Sequence, residues 1–583
     1  MANQPFNRFW NELKRRNVPR VATVYAISSW VIIQVATTVF PYLQIPGWVT
    51  TALIILIMVG FPIVLILAWI FEFAPQAEQE VQQQRVDSPY PNRRLFTSNV
   101  GIAILLLLLI AQFLYFKFSD RSKNSEGVHS IAVMPFDNLT NDKEIEPFGV
   151  GITSEIISHL SKIGTLEVSS RTSVQLLKKA QASIGEIASK LSVNYVLSGS
   201  IRKSGQKIRI TVELVDAITD KTVLSDDYDY LELKDIFHVQ SDVSAKVAQA
   251  LKAKLTPEEK VSLAKNYTDN IQAYKYYLKG RNFWDKRTSL DFDSAETNFK
   301  KAIDIDPQYA LAYSGLADCY TFNQKGLTQI EAIPIARDYT LKALSIDSNL
   351  CEAVTTMGFI QSHYDFDWKK GKETLEKAIL INPNYELAHR YLGNVLLFTG
   401  HIEEGLIETK KALALDPLAV SVNMVLGRNY YLARKYDEAL AQIKKTLALN
   451  PKFISAYAVL GSCYLQRNQL DLALTAFLKQ PMGEYDAGTV GRCFVVNAFA
   501  RSNKRIRAKE EWNKITDDEK QKSPVFMAIA LTGLGKNEEA LTYLEHAVDI
   551  HALALILTNM NPEFDPLRND PRFQAILKRL NFK

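Results

Sequence analysis

The chain has few cysteines and little excess charge for its 583 residues. Its four cysteines are scattered, with no pair at metal-ligand spacing and no disulfide framework. The simplest interpretation of each is a small buried residue in a helix. The 68 Lys and Arg against 63 Asp and Glu leave a net charge of +5, and the charged fraction of 22% is ordinary. Composition therefore does not indicate a nucleic-acid-binding protein.

Motifs of common catalytic sites are also absent. The eight histidines are dispersed, without a His-Glu-x-x-His or a Cys/His zinc spacing. Gly149-Val150-Gly151 precedes a helical pattern, but the third glycine of a dinucleotide fingerprint and the Gly-Lys-Ser/Thr of a P-loop are missing. The sequence predicts no catalytic residue, no cofactor and no metal ion, and we expect that the chain is not an enzyme.

Long apolar runs are plentiful near the amino terminus, at residues 21–43, 49–71 and 100–116. A run of about 17–25 apolar residues is long enough to cross about 30 Å of hydrocarbon, and a buried core helix is the alternative for the third run. Residues 1–20 carry five Lys or Arg, whereas the turn between the first two runs carries none. This difference predicts a cytoplasmic amino terminus. Three spans within 21–118 then place the rest of the chain in the periplasm of a bacterial inner-membrane protein.

The basic segment at residues 1–20 has its own pattern. Phe6, Phe9, Trp10 and Leu13 share one face of a helix. An apolar face among basic residues is typical of an amphipathic segment on an anionic membrane surface. A solvated charged tail is the alternative.

Residues 128–255 alternate between strand and helix patterns. Strands are predicted at 131–136, 166–169, 193–201 and 222–230, and residues 208–214 alternate apolar and polar side chains. Helices are predicted at 152–163, 174–179, 184–191 and 235–255. Alternation followed by a late hairpin predicts an α/β domain with a mixed sheet.

Several motifs of this domain resemble those of one family. They are IAVMPF at 131–136, GITSEI at 151–156, RTS at 171–173 and YVLSGSIR at 195–202. Together they resemble the TolB amino-terminal-like (FlgO-like) domain. The resemblance implies an envelope domain used for protein contacts, without catalytic residues.

The membrane region, with Phe9-Trp10 and the ELKRR motif at 12–16, also resembles a bacterial group. Its members often carry an adenylyl cyclase or a DNA-binding domain on the cytoplasmic side. Only about twenty residues precede the first run, so neither domain fits there. The resemblance therefore leaves open a sensor subunit that regulates a separate cyclase or kinase.

Residues 265–583 are self-similar. Gly393, Gly427 and Gly461 fall thirty-four residues apart, and the prolines at 383, 417 and 451 repeat with the same period. Thirty-four residues is the period of the tetratricopeptide repeat, a pair of helices. We expect about seven or eight units, closed by a last helix after residue 570.

Such a solenoid presents a concave groove lined by the first helix of each repeat. With each repeat glycine taken as the eighth position, the inward positions are Arg390, Asn394, Leu397, Met424, Arg428, Tyr431, Ser455, Ser462 and Leu465. They predict a groove for a protein or peptide, and a merely solvated surface is the alternative. Asn394 fits one position of the carboxylate-clamp subtype, but Phe398, Ser421 and Val425 do not.

The fold class predicted from the whole chain is three transmembrane helices, an α/β domain and an all-α solenoid. The predicted function is a non-enzymatic, membrane-anchored scaffold that presents a periplasmic repeat array in signalling or envelope assembly. A transmembrane sensor subunit acting on a separate adenylyl cyclase or kinase is the alternative. The partner and the oligomeric state do not follow from the residues.

Overall fold

The computed structural model describes most of the chain after residue 128. The described residues are 18–42, scattered positions between 53 and 64, 129–140, 146–204, 207–230, 236–263, 265–286, 289–322, 327–479 and 487–582. The chain divides into two compact units, Met1–Gln112 and Phe113–Lys583.

The amino-terminal unit contains helix α1 (Val18–Tyr42), whose apolar residues are interrupted by Ser28, Ser29 and Gln34. No helix in the described part of the chain has both the length and the apolar character needed to cross a membrane. This finding contradicts the predicted three-span fold class. The inner-membrane location and the periplasmic placement of residues after 118 depended on those spans and are wrong with it. The run at 49–71 is described only at scattered positions, and the run at 100–116 lies outside the described residues.

The second unit begins with a mixed β-sheet. Its strands are β1 (His129–Val133), β2 (Asp137–Asn138), β3 (Leu166–Val168), β4 (Tyr195–Ser204), β5 (Lys207–Asp216) and β6 (Lys221–Tyr230). Their order is β3-β1-β4-β5-β6, and β2 pairs with β4. β1 is parallel to β3 and to β4, whereas β4, β5 and β6 are antiparallel neighbours.

Burial along the strands follows from their positions. Ile131, Ala132 and Val133 of β1 are fully buried, because this central parallel strand is covered on both faces. In β5 buried residues alternate with exposed or half-buried ones from Lys207 to Val212, as expected of a half-covered antiparallel strand.

Four helices cover the two faces of the sheet. Helices α2 (Glu146–Ser161) and α5 (Ile236–Ala250) pack on one face, and α3 (Arg171–Lys179) and α4 (Ile184–Leu191) pack on the other. Ser183 and Glu186 form a reciprocal capping box that fixes the start of α4. We call residues 129–250 the α/β domain, and helix α6 (Pro257–Leu263) follows it.

The described residues after 270 contain eight consecutive helix pairs. They are α7 (Ile271–Lys286) with α8 (Ser289–Ile305), α9 (Ala310–Phe322) with α10 (Gln329–Ile346), α11 (Cys351–Phe359) with α12 (Trp368–Ile381), α13 (Glu386–Phe398) with α14 (Ile402–Leu415), α15 (Val420–Leu432) with α16 (Tyr436–Leu449), α17 (Ile454–Gln466) with α18 (Leu470–Phe477), α19 (Ala487–Arg501) with α20 (Arg505–Asn513), and α22 (Pro524–Gly533) with α23 (Asn537–Asp549). A short helix, α21 (Asp517–Lys522), lies between the last two pairs.

Small residues let the two helices of a repeat approach closely. A Cβ added at Gly393 would lie 2.9 Å from the carbonyl oxygen of Gly405, and one added at Gly405 would lie 2.7 Å from the carbonyl oxygen of Gly393. The two backbones therefore touch, and only glycine fits at these two repeat positions.

The chain ends in a segment that folds back on the repeats. It contains two 3₁₀ helices, Leu553–Leu557 and Pro562–Leu567, and helix α24 (Pro571–Arg579). Phe564, Phe573 and Leu580 are fully buried against the repeat core. We call residues 551–582 the carboxyl-terminal segment.

Candidate peptide-binding groove

Three of the predicted groove residues meet between the fourth and fifth repeats. The guanidinium Nη2 of Arg428 donates to Asn394 Oδ1 over 3.0 Å. Asn429 donates to the same oxygen over 3.1 Å, which fixes the orientation of the Asn394 amide. Arg390 lies one turn before Asn394 on α13 and pairs with Glu386 over 3.0 Å. Arg390 lies close enough to Arg428 for their like charges to repel.

Arg428 has unusually little compensation for its charge. Among the described residues it forms no ion pair, and its Nε is buried without a hydrogen-bond partner. Its guanidinium carbon lies 5.8 Å from the centre of the Phe398 ring, a cation–π contact. Burial, together with the charge of Arg390, lowers the pKa of Arg428 to about 10. Its guanidinium remains charged at neutral pH, so the site is cationic and receptive to an anion.

His363 is an uncharged neighbour of Arg428. It stacks on Phe359, with ring centres 4.5 Å apart, and its Nδ1 lies 2.8 Å from the Ser362 hydroxyl. Burial, and then the charge of Arg428, lowers the pKa of His363 to about 3. The imidazole is therefore uncharged at neutral pH and adds no positive charge to the site.

The other predicted groove residues have different surroundings. Leu397 and Leu465 are completely buried and Ser462 is buried, so these three contribute to helix packing. Met424 is partly buried and Ser455 is exposed. Tyr431 is buried, and its hydroxyl donates to Glu563 of the carboxyl-terminal segment over 3.1 Å.

Glu563 is a carboxylate held inside the repeat array. Besides Tyr431, its oxygens accept from Gln466 and from Asn497, each over 3.3 Å, and Arg501 lies 3.6 Å away. These partners come from the first helices of the fifth, sixth and seventh repeats. Burial raises the pKa of Glu563, and the charge of Arg501 opposes that rise. The structure therefore contains a carboxylate-binding cluster that sequence reasoning missed.

The carboxyl-terminal segment reaches back to the third repeat. The indole N–H of Trp368 donates to the Leu580 carbonyl over 2.8 Å, and Phe582 stacks on Trp368 with ring centres 4.8 Å apart. Burying a large apolar side chain contributes about 1.5–3 kcal/mol. With Phe564, Phe573 and Leu580 all fully buried, the segment is a permanent part of the core rather than a displaceable ligand.

The α/β domain contacts the loops that connect successive repeats of the array. The Asn384 amide group donates to the Ser161 and Leu166 carbonyls, each over 2.8 Å, and its Oδ1 accepts from the Val168 N–H over 3.2 Å. This side chain binds the edge strand β3, where unpaired backbone groups would otherwise be exposed. Asn382 donates to the Ser161 hydroxyl over 2.9 Å.

A second loop contact joins Ser173 to the loop before α15. The Ser173 hydroxyl donates to Asp416 Oδ1 over 2.5 Å and accepts from the Leu418 N–H over 3.0 Å. The Ser170 N–H donates to the Leu415 carbonyl over 2.9 Å. In other inter-repeat loops the first residue accepts directly from the N–H two residues later, as Asn382 and Asn450 do. The Ser173 hydroxyl thus lies between Asp416 and the Leu418 N–H. In the neighbouring repeats the equivalent two residues are joined by a direct hydrogen bond.

A buried polar cluster lies where the α/β domain meets the first repeats. Lys162 donates to the Tyr267 hydroxyl over 3.0 Å, and Gln240 donates to the Tyr274 hydroxyl over 3.0 Å. Burial raises the pKa of Glu155 to about 7, and Lys162 opposes the rise. Burial, and then the charge of Lys162, lowers the pKa of His159 to about 3.

No group of three or more metal-ligating side chains occurs in the residues that the structure describes. The four cysteines are free and buried. The predictions that the chain binds no metal and no cofactor remain predictions.

Two family models match parts of the chain. One is described as a HilA/YgeH-like transcriptional regulator, second domain, and matches residues 127–246. The other is the tetratricopeptide repeat and matches residues 424–487. The repeat prediction is confirmed. The first match names another family for the α/β domain than TolB, so the TolB resemblance remains a prediction.

One similar protein and two solved structures complete the comparison. A Rhizobium meliloti (strain 1021) protein called putative adenylate cyclase 3 is 34% identical over 188 residues, 32% of this chain and 32% of that protein. The chain thus matches about a third of its relative's length. The structure of the thermophilic TPR protein TTC0263 from Thermus thermophilus has 21% identity and a TM-score of 0.29, covering 33% of this chain and 99% of that one. Pseudomonas aeruginosa PilF has 19% identity and a TM-score of 0.28, covering 36% and 90%.

Proposed function

We propose that the repeat array is a non-enzymatic protein-interaction scaffold, and that its groove binds an acidic peptide segment at Arg390, Asn394 and Arg428. The observation that supports this function is Arg428, a partly exposed guanidinium for which the described residues supply an amide oxygen and a ring but no carboxylate. A buried or half-buried cation is stabilised when an anion pairs with it.

A carboxylate suits this site better than other anionic groups of proteins. The planar guanidinium presents parallel N–H donors that match the two oxygens of a carboxylate. Hydrogen bonds to charged groups contribute about 1.5–3 kcal/mol each. In this proposal Met424 contacts an apolar neighbour of the acidic residue, and Ser455 lies at the exposed rim.

The test is peptide binding by the full chain. A fluorescent Glu-rich peptide is titrated with the protein, and the same peptide carrying Gln is the ligand control. We expect Arg428→Gln to weaken binding of the acidic peptide by roughly 10- to 150-fold, the equivalent of one charged hydrogen bond.

Arg507 offers a matched control for Arg428. It is exposed on α20 and lies 6.0 Å from the Phe499 ring centre, so it shares the cation–π contact outside the proposed site. Arg507→Gln is expected to leave binding unchanged. Equal effects of the two substitutions, or equal binding of the Glu and Gln peptides, would contradict the proposed site.

We propose as a second function that the chain regulates a separate adenylyl cyclase. The similarity to the Rhizobium protein called putative adenylate cyclase 3 supports it. Purified full chain is then expected to form no cyclic AMP from ATP alone, but to change the rate of a cyclase that co-purifies with it. Cyclic AMP formation by the purified chain itself would overturn both this proposal and the prediction that the chain is not an enzyme.

A further inference from the structure

The third repeat contains one more residue than the repeats that follow it. Gly371 follows Gly358 by thirteen positions, whereas the equivalent pair of the fourth repeat is twelve positions apart. The extra residue is accommodated in a π-helical turn, Ile360–Tyr364, at the end of α11, where the Asp365 N–H donates to the Ile360 carbonyl over 3.0 Å. Turns of this kind are rare and often occur at functional sites.

A cavity of about 330 Å³ lies beside this turn, between the second and third repeats. Its apolar wall consists of Leu341 and Leu344 of α10 and Met357 of α11. The volume is at the lower end of the range for ligand pockets, about 300–1,000 Å³. The cavity therefore suits a small group, such as one side chain with the main chain on either side of it. We call it the third-repeat cavity.

Gln361 of the π-helical turn brings an unused hydrogen-bond donor to the third-repeat cavity. Only 8% of its surface is exposed, and its side-chain oxygen accepts from the Thr374 hydroxyl over 2.7 Å. Its amide N–H₂ group has no hydrogen-bond partner in the described part of the chain. A donor that is largely withdrawn from water gains most from an acceptor placed beside it.

The loop between the π-helical turn and α12 also lines the cavity, and it is held in place. The Asp367 N–H donates to the Gln361 carbonyl over 2.8 Å, which joins the loop to the turn. Phe366 has a left-handed backbone with a φ of 54°, a conformation that bulky residues rarely adopt. The Asn581 amide group donates to the Phe366 carbonyl over 3.2 Å, and His551 stacks on the Phe366 ring. An ordered rim loses little conformational entropy when a ligand binds.

The charged side chains around the cavity balance one another. Arg337 and Lys370 line it together with Asp365 and Asp367. Arg337 Nη2 donates to Asp365 Oδ1 over 2.6 Å, and Asp367 Oδ1 accepts from the Lys370 N–H over 3.0 Å. The second oxygen of each carboxylate accepts no hydrogen bond from any described residue. The cavity thus offers acceptors as well as the Gln361 donor, without a net charge that favours an anion or a cation.

We propose that the third-repeat cavity binds an aliphatic side chain within an uncharged, extended segment of a partner protein. The side chain packs against Leu341, Leu344 and Met357. A main-chain carbonyl of the segment accepts from the Gln361 amide, and a main-chain N–H donates to the Asp367 carboxylate. The cavity shares no residue with the proposed acidic-peptide site, so the repeat array has a second, independent interaction site.

A peptide segment fits these groups better than a small carboxylic acid does. Each main-chain amide unit carries one donor and one acceptor, which match Asp367 and Gln361. A free carboxylate carries acceptors only, and the charges of Asp365 and Asp367 repel it. The affinity of the segment then comes mainly from the apolar area that its aliphatic side chain buries.

The test uses the methyl groups of methionine in the full chain as NMR probes. Isotope labelling reports on all eight methionines, of which Met357 lines the third-repeat cavity and Met424 belongs to the proposed acidic-peptide site. Met357→Leu and Met424→Leu assign the two signals. The ligands are blocked pentapeptides Gly-Ser-X-Ser-Gly in which X is Leu, Ile or Met, and the peptide in which X is Ala is the ligand control.

We expect the aliphatic peptides to shift the Met357 signal in a saturable way and to leave the Met424 signal unchanged. The Ala peptide should bind about 10-fold or more weakly than the Leu peptide, because it buries less apolar area. The Glu-rich peptide should shift Met424 and not Met357, so the two proposals are tested separately. If none of the three aliphatic peptides shifts Met357, the inference is wrong. Binding of isocaproate, a free acid, as tightly as the Leu peptide would overturn the assignment to a peptide.

Two substitutions test the hydrogen-bonding groups of the cavity. Gln361→Leu removes the amide donor, and Thr374→Val is its control, because it removes the same Thr374–Gln361 hydrogen bond but keeps the donor. Asp367→Asn keeps the cap of α12, since asparagine caps helices as aspartate does, but replaces the unpaired oxygen by a donor. We expect Gln361→Leu and Asp367→Asn each to weaken binding of the Leu peptide about 5-fold, the equivalent of one hydrogen bond, and Thr374→Val to have little effect.

A second pair of variants tests the apolar wall without disturbing the core. Leu341 is 51% exposed, and Leu380 on α12 is 84% exposed and lies outside the cavity. Leu341→Ser should weaken binding of the Leu peptide on the order of 5-fold, because part of the apolar contact is lost. Leu380→Ser should leave binding unchanged. Equal effects of Leu341→Ser and Leu380→Ser, or of Gln361→Leu and Thr374→Val, would contradict binding in the third-repeat cavity.

Discussion

The hydroxyl of Tyr431 donates to the carboxylate of Glu563 over 3.1 Å, across 132 positions of the chain. This bond joins the fifth repeat to the carboxyl-terminal segment at the point where Gln466, Asn497 and Arg501 also converge. Tyr431, one of the predicted groove residues, is thus already paired with a glutamate of the same chain.

Replacing Glu563 should destabilise the array strongly. Glu563→Ala leaves the hydroxyl of Tyr431 and the guanidinium of Arg501 without their buried acceptor, and we expect a loss of about 2–4 kcal/mol in unfolding free energy. Glu403→Ala is the control, because Glu403 pairs with Lys435 on an exposed surface and should change stability by less than about 1 kcal/mol. Urea unfolding measures both. Similar losses for the two variants would show that the cluster is not stabilising.

Gly393 and Gly185 should respond to alanine with opposite signs. At Gly393 the new methyl group meets the Gly405 carbonyl at 2.9 Å and the Thr409 nitrogen at 3.0 Å, so the two helices must separate. Overpacking of this kind costs about 1–3 kcal/mol. Gly185 lies in α4 with nothing within 4 Å of an added Cβ, and Gly185→Ala should stabilise by about 0.5–1 kcal/mol. Two thermal unfolding curves test the contrast, and a stable Gly393→Ala protein would contradict the close approach.

The apolar side chains of the carboxyl-terminal segment should contribute to stability as core residues do. Phe573 is fully buried against Phe564, and Phe573→Ala should cost about 3–5 kcal/mol. Ile506, which is 79% exposed, is the control, and Ile506→Ala should stay within about 0.5 kcal/mol. A mild effect at Phe573 would mean that residues 551–582 can leave the array, and the Glu563 cluster would then become a ligand site.

Some of this architecture follows from local sequence and some does not. The repeats could be predicted from the sequence because glycine recurs every thirty-four residues at positions where two helices touch, as at Gly393 and Gly427. Docking of the α/β domain and folding-back of the chain end depend instead on single contacts between distant residues. Ser173 and Asp416 are 243 positions apart, and Trp368 and Leu580 are 212 apart. No periodicity encodes such pairs.

Sequence spacing was likewise informative for some of the predicted groove residues and misleading for others. Spacing identified Asn394 and Arg428, which the structure joins by a hydrogen bond because successive first helices stack at one period. Spacing also selected Leu397 and Leu465, which are completely buried. Helical position alone does not distinguish a side chain that lines a groove from one that fills the space between repeats. The predicted three-span fold class is contradicted as well, because no helix among the described residues has both the length and the apolar character needed to cross a membrane.

The last prediction concerns pH and Glu155. Burial raises the pKa of this carboxyl from 4.5 to about 7, although Lys162 opposes the rise. Glu155 is protonated in both the folded and the unfolded chain below about pH 4.5, and only the unfolded chain ionises it freely between about pH 4.5 and 7. Its contribution to stability is therefore fully present below pH 4.5 and is lost as the pH rises through 7.

Neighbouring groups titrate too, so the measurement is a difference between two proteins. Lys162, Lys265, Tyr267 and Glu352 surround the same cluster, and the lowered pKa of His159 makes its contribution fall as the pH falls below 6.5. We expect Glu155→Gln to gain about 1–3 kcal/mol of unfolding free energy relative to the unmodified chain between pH 5 and pH 8, a range reduced for partial exposure of Glu155 and its pairing with Lys162. Groups that Glu155 does not influence titrate alike in both proteins and cancel in the comparison, whereas the pKa of Lys162 is lower in the variant, because the Glu155 carboxylate raises it in the unmodified chain. A difference between the two proteins that does not change with pH would show that Glu155 ionises normally in the folded chain.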